Sequence, residues 1–261
     1  MVGIRSISTR KQNVSQPLTP YFFQTYFMQG KNILIIGASS GIGHALALSL
    51  QAQGATLFTA GRRQPEGITS THMHWDVNQP AADALNQLPE MLHGLVYAPG
   101  TINLKPFQRL QPADYQADLQ INVLGAISAI HATLALLKKS KGASIVLFST
   151  VAAKLGMGLH SSVSVAKSAV EGLTKSLAAE FAPFNIRVNA VAPSLTDTPL
   201  AESKGLLGTP EKREAADKRH PLNRVGTPED SASMAAFLLG DQATWITGQI
   251  IGIDGGMGSL K

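Results

Sequence analysis

From residue 32 to residue 253, short strand-like runs alternate with apolar segments of helical period, and the first run ends in a glycine-rich turn that opens directly into a helical segment. The runs fall at 32–36, 56–60, 72–75, 94–97, 144–148, 187–191 and 250–253, and the helical segments at 42–53, 81–88, 112–137, 164–181 and 228–239. Strand, crossover helix and strand, repeated in this way, is the pattern of a parallel sheet wrapped by helices on both faces. We therefore expect an α/β fold, doubly wound, with about seven parallel strands. These elements leave no room for a second domain between residues 31 and 261, and 44% apolar residues suffice for one large core.

The first run leads into Gly37-Ala38-Ser39-Ser40-Gly41-Ile42-Gly43. Glycines there let backbone N–H groups and the positive end of the following helix meet a pyrophosphate with no Cβ in the way. A second strand near thirty residues on completes the dinucleotide-binding pattern. That strand ends in Ala60-Gly61-Arg62-Arg63, where an acid would accept the ribose hydroxyls of NAD. No acid is present. Arg62 instead offers a planar fork of donors to a 2′-phosphate, a contact of about 1.5–3 kcal/mol, with Ser39 able to add a hydroxyl and Arg63 a spare cation. NADP(H) is the expected cofactor.

Composition excludes other classes. With no Cys, the chain has no disulfide framework, thiol nucleophile or Cys-bound zinc, and a cytoplasmic protein is expected. His72 and His74 share a strand face, but no third ligand completes a metal site, and no metal is expected. The net charge of +5 is dispersed and not interleaved with aromatics, which does not suit nucleic acid. No uninterrupted apolar run approaches about 18 residues, so no membrane span is expected. Residues 1–30 stand apart: Arg5, Arg10 and Lys11 come without an acid and precede an aromatic cluster, weakly like a transit peptide. The preferred reading is an extension, disordered or not native, ahead of a natural start at Met28.

Several separate segments resemble the short-chain dehydrogenase/reductase family, and together they span residues 32–257. Ser149-Thr150 … Val163-Ser164-Val165-Ala166-Lys167 follows that family's hydroxyl … Tyr-x-x-x-Lys pattern, apart from the Tyr. Asp76-Val77 matches the adenine-contacting acid and its neighbour, and Asn122 matches the helix Asn that holds a relay water. The 186–193 segment matches the nicotinamide side of the pocket, and Thr198 matches the carboxamide contact. His220-Pro221-Leu222-Asn223-Arg224-Val225-Gly226 and Ile246-Thr247-Gly248-Gln249 match the C-terminal signature. The resemblance implies a Rossmann-like fold and a cofactor site comprising Gly37, Ser39, Ser40, Gly41, Ile42, Gly43, Arg62, Arg63, Asp76, Val77, Ala98, Gly100, Lys167, Pro193, Leu195 and Thr198. It implies catalytic roles for Asn122, Thr150 and Lys167, and a homo-oligomer, tetramer or dimer, formed through segments 112–137 and 164–181.

Departures from the family matter equally. Val163 stands at the catalytic Tyr position and has no proton to give; losing a positioned acid typically costs about 10²–10⁴ in rate. Thr150 takes the place of the catalytic Ser. Tyr97-Ala98-Pro99-Gly100 replaces Asn-Asn-Ala-Gly, and Pro99 removes an N–H donor. Ser194 replaces a Gly. His160, three residues before Val163, is the leading substitute proton donor, ahead of Lys154, with Ser162 and Ser164 read as helix-flanking and Tyr97 as core. Three functions stay open: an NADP(H)-dependent oxidoreductase with atypical proton delivery to a carbonyl or activated C=C bond, a catalytically silent NADP(H)-binding sensor or scaffold, and a structural partner subunit. The small-molecule substrate would be shaped by loops 154–161 and 195–224.

Overall fold

The structure, a computed structural model, describes residues 28–260. The expectations for the extension therefore lie outside the described residues up to position 27. Met28 itself is buried in the core, its N–H donating to Gln53 O at 3.2 Å, so the folded part includes residues 28–30 that the sequence reading had assigned to the extension.

Seven strands form one parallel sheet: β1 (Asn32–Ile36), β2 (Thr56–Gly61), β3 (Ser70–His74), β4 (Gly94–Tyr97), β5 (Ser144–Phe148), β6 (Arg187–Pro193) and β7 (Ile250–Ile253). Their order is β3-β2-β1-β4-β5-β6-β7, so the winding reverses between β1 and β4. Both faces are covered, which explains why the central strands read as continuous apolar runs. Leu34, Leu95, Ile145 and Val188 lie side by side in the register and pack against one helical layer. Ile33, Ile35, Val96 and Val146 face the other.

The second layer is α1 (Gly41–Ala52) with α7 (Pro228–Leu239), which bury Leu46, Leu50, Ala235 and Leu239 against the sheet. The first layer is α2 (Pro112–Leu119), a π-helical segment Gln120–Leu124, α3 (Gly125–Lys139) and α4 (Ser161–Phe181). The expected single helix at 112–137 is thus interrupted. Asn122 Nδ2 takes the Asp118 carbonyl, four residues back, at 2.8 Å, and Gly125 N–H reaches five residues back to Gln120 O. A side-chain amide has displaced a ladder bond and loosened one turn, a device common at functional sites. By length and composition the run 112–139 is apolar enough to cross a membrane, which inspection of uninterrupted runs missed; Val123, Ala126 and Ile130 bury it against the sheet as a core helix.

Two further expectations change. The segment 81–88 closes one turn, with Leu85 N–H to Ala81 O at 3.0 Å, and does not continue as a helix. Eight residues barely repay helix nucleation, and Pro89 steers Leu88 away from helical geometry. Conversely, α5 (Pro199–Ser203) and α6 (Pro210–Asp217) were not expected. Each begins with Pro after a Thr whose hydroxyl accepts a backbone N–H, from Ala201 at 3.3 Å and from Lys212 at 3.3 Å.

The tightest point in the fold is the turn between β1 and α1. A Cβ on Gly43 would sit 2.2 Å from Gly37 O. We expect Gly43→Ala to destabilise the protein by at least about 2 kcal/mol in urea unfolding, since the obstacle is backbone and cannot rotate away. A loss below about 0.5 kcal/mol would mean that the helix can back off freely.

Candidate active site

The carboxyl ends of β1, β4, β5 and β6 border one cleft of about 270 Å³ at the point where strand order reverses. Leu104, Met157, Val163, Leu200 and Leu206 make much of its wall apolar, and its polar groups include Thr150, Lys167, Ser194, Thr198, His160 and Arg219.

Ser149 and Thr150 directly follow β5. Ser149 is buried, its Oγ donating to Glu171 Oε1 at 2.8 Å. Thr150 Oγ1 donates to Pro193 O at 3.2 Å and accepts the Ala152 N–H at 3.4 Å, capping a short 3₁₀ turn. At the start of α4, His160 Nδ1 lies 2.6 Å from Gly158 O; a carbonyl only accepts, so in the neutral ring Nε2 keeps its lone pair. Val163 is buried in the first turn and lines the cleft with methyl groups.

Lys167, one turn further on, is buried with its Nζ donating to Phe148 O at 2.8 Å. Burial lowers its pKa to about 8, against an opposing pull from Asp118. The π-helical segment brings Asn122 close by: its Nδ2 donates to Thr101 Oγ1 at 2.8 Å, and Thr101 donates to Asp118 Oδ1 at 2.6 Å. Asn122 Oδ1 and Asp118 Oδ2 are buried without a partner. A Cβ on Gly100 would be 3.4 Å from both Asn122 Oδ1 and Lys167 Nζ, so glycine lets the 98–100 loop run between them.

The glycine turn adjoins this cleft. Gly37 and Gly41 hold φ of +84° and +56°, values that suit glycine, and a Cβ on Gly41 would touch Thr198 Cγ2 at 3.3 Å. Ser40 caps α1 in extended conformation without a side-chain bond to it; Ser39 sits half-buried beside it. Arg62 and Arg63, beyond β2, are exposed. Asp76, beyond β3, has its carboxyl held below the usual range, first by the Asn78 N–H it accepts, with Arg62 adding attraction. Val77 packs against Gly125.

Of the residues read from sequence, Ile42, Ala98, Gly100, Thr150, His160, Lys167, Pro193, Leu195 and Thr198 meet at the cleft, with Asn122 behind Gly100. Gly37, Ser39, Ser40, Gly41, Gly43, Arg62, Arg63, Asp76 and Val77 are not part of its wall and lie at the ends of β1, β2 and β3 and the start of α1. Lys154 lines a neighbouring hollow and is not part of the cleft wall. Ser162 and Ser164 tie α4 to the Asn103 and Ala152 carbonyls and do not cap it. Tyr97 is core: it donates to Ile121 O at 2.5 Å, and burial pushes its phenol well above the ordinary range. The sequence reading missed the Thr101–Asp118 pair and a bond between Ser194 and His220. Both have sequence signals, an acid four residues before Asn122 and a polar residue in place of the family Gly.

A family model described as Enoyl-(Acyl carrier protein) reductase matches residues 37–258. The chain is 33% identical over 247 residues to the 3-oxoacyl-[acyl-carrier-protein] reductase FabG of Thermotoga maritima, covering 88% of this chain and 98% of that one. The chain belongs to the short-chain dehydrogenase/reductase family. A tropinone reductase homolog of Arabidopsis thaliana is 32% identical, over 88% of this chain and 94% of its own. Among solved structures, the aldohexose dehydrogenase of Thermoplasma acidophilum superposes with a TM-score of 0.82 at 28% identity, covering 89% and 95% of the two chains. A gluconate 5-dehydrogenase of Burkholderia cenocepacia, in complex with NADP and tartrate, gives 0.83 at 25%, covering 91% and 99%.

In this short-chain dehydrogenase/reductase the buried Lys167 ties stability to pH. Its folded pKa of about 8 lies below the 10.5 of a free lysine, so between those values the unfolded chain binds more protons and stability rises with pH. Relative to Lys167→Met, the wild type should gain up to about 3 kcal/mol in urea titrations across that window. A difference that stays flat would show an ordinary lysine pKa.

Proposed function

We propose that this protein is an NADP(H)-dependent oxidoreductase that reduces a carbonyl or activated C=C bond with atypical proton delivery. The observation that carries it is the continuity of the glycine turn, shaped so that no Cβ fits at Gly43, with a cleft holding a buried Lys167 and the Thr150 hydroxyl. Gly37, Ser39, Ser40, Gly41, Ile42 and Gly43 would bind the pyrophosphate, Arg62 and Arg63 the 2′-phosphate, and Asp76 and Val77 the adenine. Ala98, Gly100, Pro193, Leu195 and Thr198 would flank the nicotinamide, with Lys167 on its ribose. The cofactor, when bound, supplies or accepts a hydride.

The chain's own groups must then manage the proton. Val163 in the catalytic Tyr position cannot, and Thr150 must release Pro193 O to hold a substrate oxygen. His160 faces the cleft with a free Nε2. The reading includes a homo-oligomeric, cytoplasmic protein. A silent NADP(H) binder is the second reading, favoured by the methyl groups of Val163 and the committed Thr150 hydroxyl.

The test is NADPH oxidation against ketones, aldehydes and enones, with Val163→Tyr in parallel. Native turnover is expected, with the variant faster by about 10²–10⁴. Turnover by the variant alone selects the silent reading. Arg62→Ala should weaken NADPH binding roughly tenfold to a hundredfold and leave NADH unchanged, as read by fluorescence titration. Equal NADH and NADPH affinity in the native protein would overturn the cofactor assignment.

A further inference from the structure

Ser194 follows β6, on the strand next to the one that delivers Thr150, and lines the same cleft as Val163. Its backbone is fixed on both sides, N–H to Ile253 O at 3.3 Å and carbonyl accepting Thr196 Oγ1 at 3.1 Å. Behind it His220, 1% exposed, ends the segment that follows α6. His220 Nδ1 lies 2.8 Å from Ala216 O and Nε2 lies 2.9 Å from Ser194 Oγ.

The partners decide the tautomer. Ala216 O only accepts, so Nδ1 carries hydrogen, and in the neutral ring Nε2 accepts the Ser194 hydroxyl. Adding a proton at Nε2 reverses that bond: Nε2–H donates to Oγ, and the Ser194 hydrogen is released toward the cleft. A hydroxyl backed by an imidazole, itself oriented through its other nitrogen, is the arrangement that proton-transferring pairs use.

We propose that Ser194 and His220 form the proton relay of this site, Ser194 as the catalytic residue at the substrate oxygen and His220 acting through it. The proposal rests on the oxidoreductase reading and names the proton source that Val163 leaves vacant. As the substrate carbonyl carbon gains a hydride from the nicotinamide, its oxygen takes the π pair and the Ser194 proton. Oγ takes the proton from Nε2, and the ring is left neutral until solvent reprotonates it. Alcohol oxidation runs the same transfers backwards.

No carboxylate bonds the ring among the described residues. Asp217 Oδ1 accepts Val225 N–H at 2.7 Å, and Asp254, on the segment packed against His220 through Gly255, accepts the Gly256 and Gly258 N–H groups. Arg219 stands at the cleft, and Arg224 pairs with Asp230. Lys167, His160, Glu171 and Asp118 are further titratable groups in or beside the cleft.

A hydrogen-bonded staple keeps one charge state, whereas a relay changes it. The test is ¹⁵N NMR of histidine-labelled full-length protein with NADPH bound, from about pH 9 to about pH 5, with His220→Gln assigning the signal. The relay requires that Nε2 of His220 be found in both acceptor and N–H form. With a carbonyl turned over by the native protein, Ser194→Ala should lower kcat at least roughly tenfold while NADPH affinity stays within about twofold. His220→Gln, which can still bond Ser194, should abolish the alkaline limb of the pH profile for reduction, the loss of rate as pH rises, which His160→Ala retains. One charge state across the range, or an unchanged profile in His220→Gln, would overturn the relay. Failure of the underlying reading shows separately, as absent NADPH binding or oxidation.

Discussion

The arrangement of the whole catalytic edge depends on how closely α1 approaches the end of β1. With 2.2 Å between a notional Cβ on Gly43 and Gly37 O, any side chain there would push the helix off the sheet. Three loops then seat on the same glycines. Gly37 N–H closes the last rung with Ala60 O at 2.9 Å, the ring of Pro99 comes within 3.1 Å of a Cβ placed on Gly37, and Thr198 rests on Gly41. The feature that leaves room at the helix start also brings the ends of β4 and β6 together, so the glycine turn and the cleft are set by one packing decision.

Much of this was legible because parallel strands buried on both faces leave a strong apolar signature, and β1, β4, β5 and β7 stand where the runs predicted them. The errors arose where local signals compete. The 81–88 segment carried helical periodicity, and Ala81 and Leu85 are buried with Ala84 and Leu88 packed beside them, but Pro89 closes the window before a second turn forms. Helices α5 and α6 were announced by Thr-Pro, the pair that also opens α7, yet their charged, exposed faces gave no apolar period to follow. At the site, contacts within one motif were readable, as with Val163 and Lys167. The contacts of Ser194 with His220 and of Thr101 with Asp118 join elements far apart in sequence, which only packing reveals.

Val163 does not make this part of the cleft an inert wall. Lys167 keeps one carbonyl partner for three N–H donors, and Asn122 Oδ1 and Asp118 Oδ2 are buried with none. Unsatisfied groups of this kind typically cost about 1–3 kcal/mol each, so a site drifting toward a purely structural role would be stabilised by replacing them.

The position of His220 bears on the same point. It hangs from the C-terminal end of α6, a helix whose exposed side carries Glu211, Arg213 and Glu214 and whose core contact is Ala216. Few buried apolar contacts make such an element cheap to open. The bond from His220 to Ser194 ties the segment that follows that helix to the end of β6, so the Ser–His pair depends on that segment staying in place. Proton transfer and exclusion of water would then be assembled by one movement, a coupling that a tyrosine fixed in the first turn of α4 would not require.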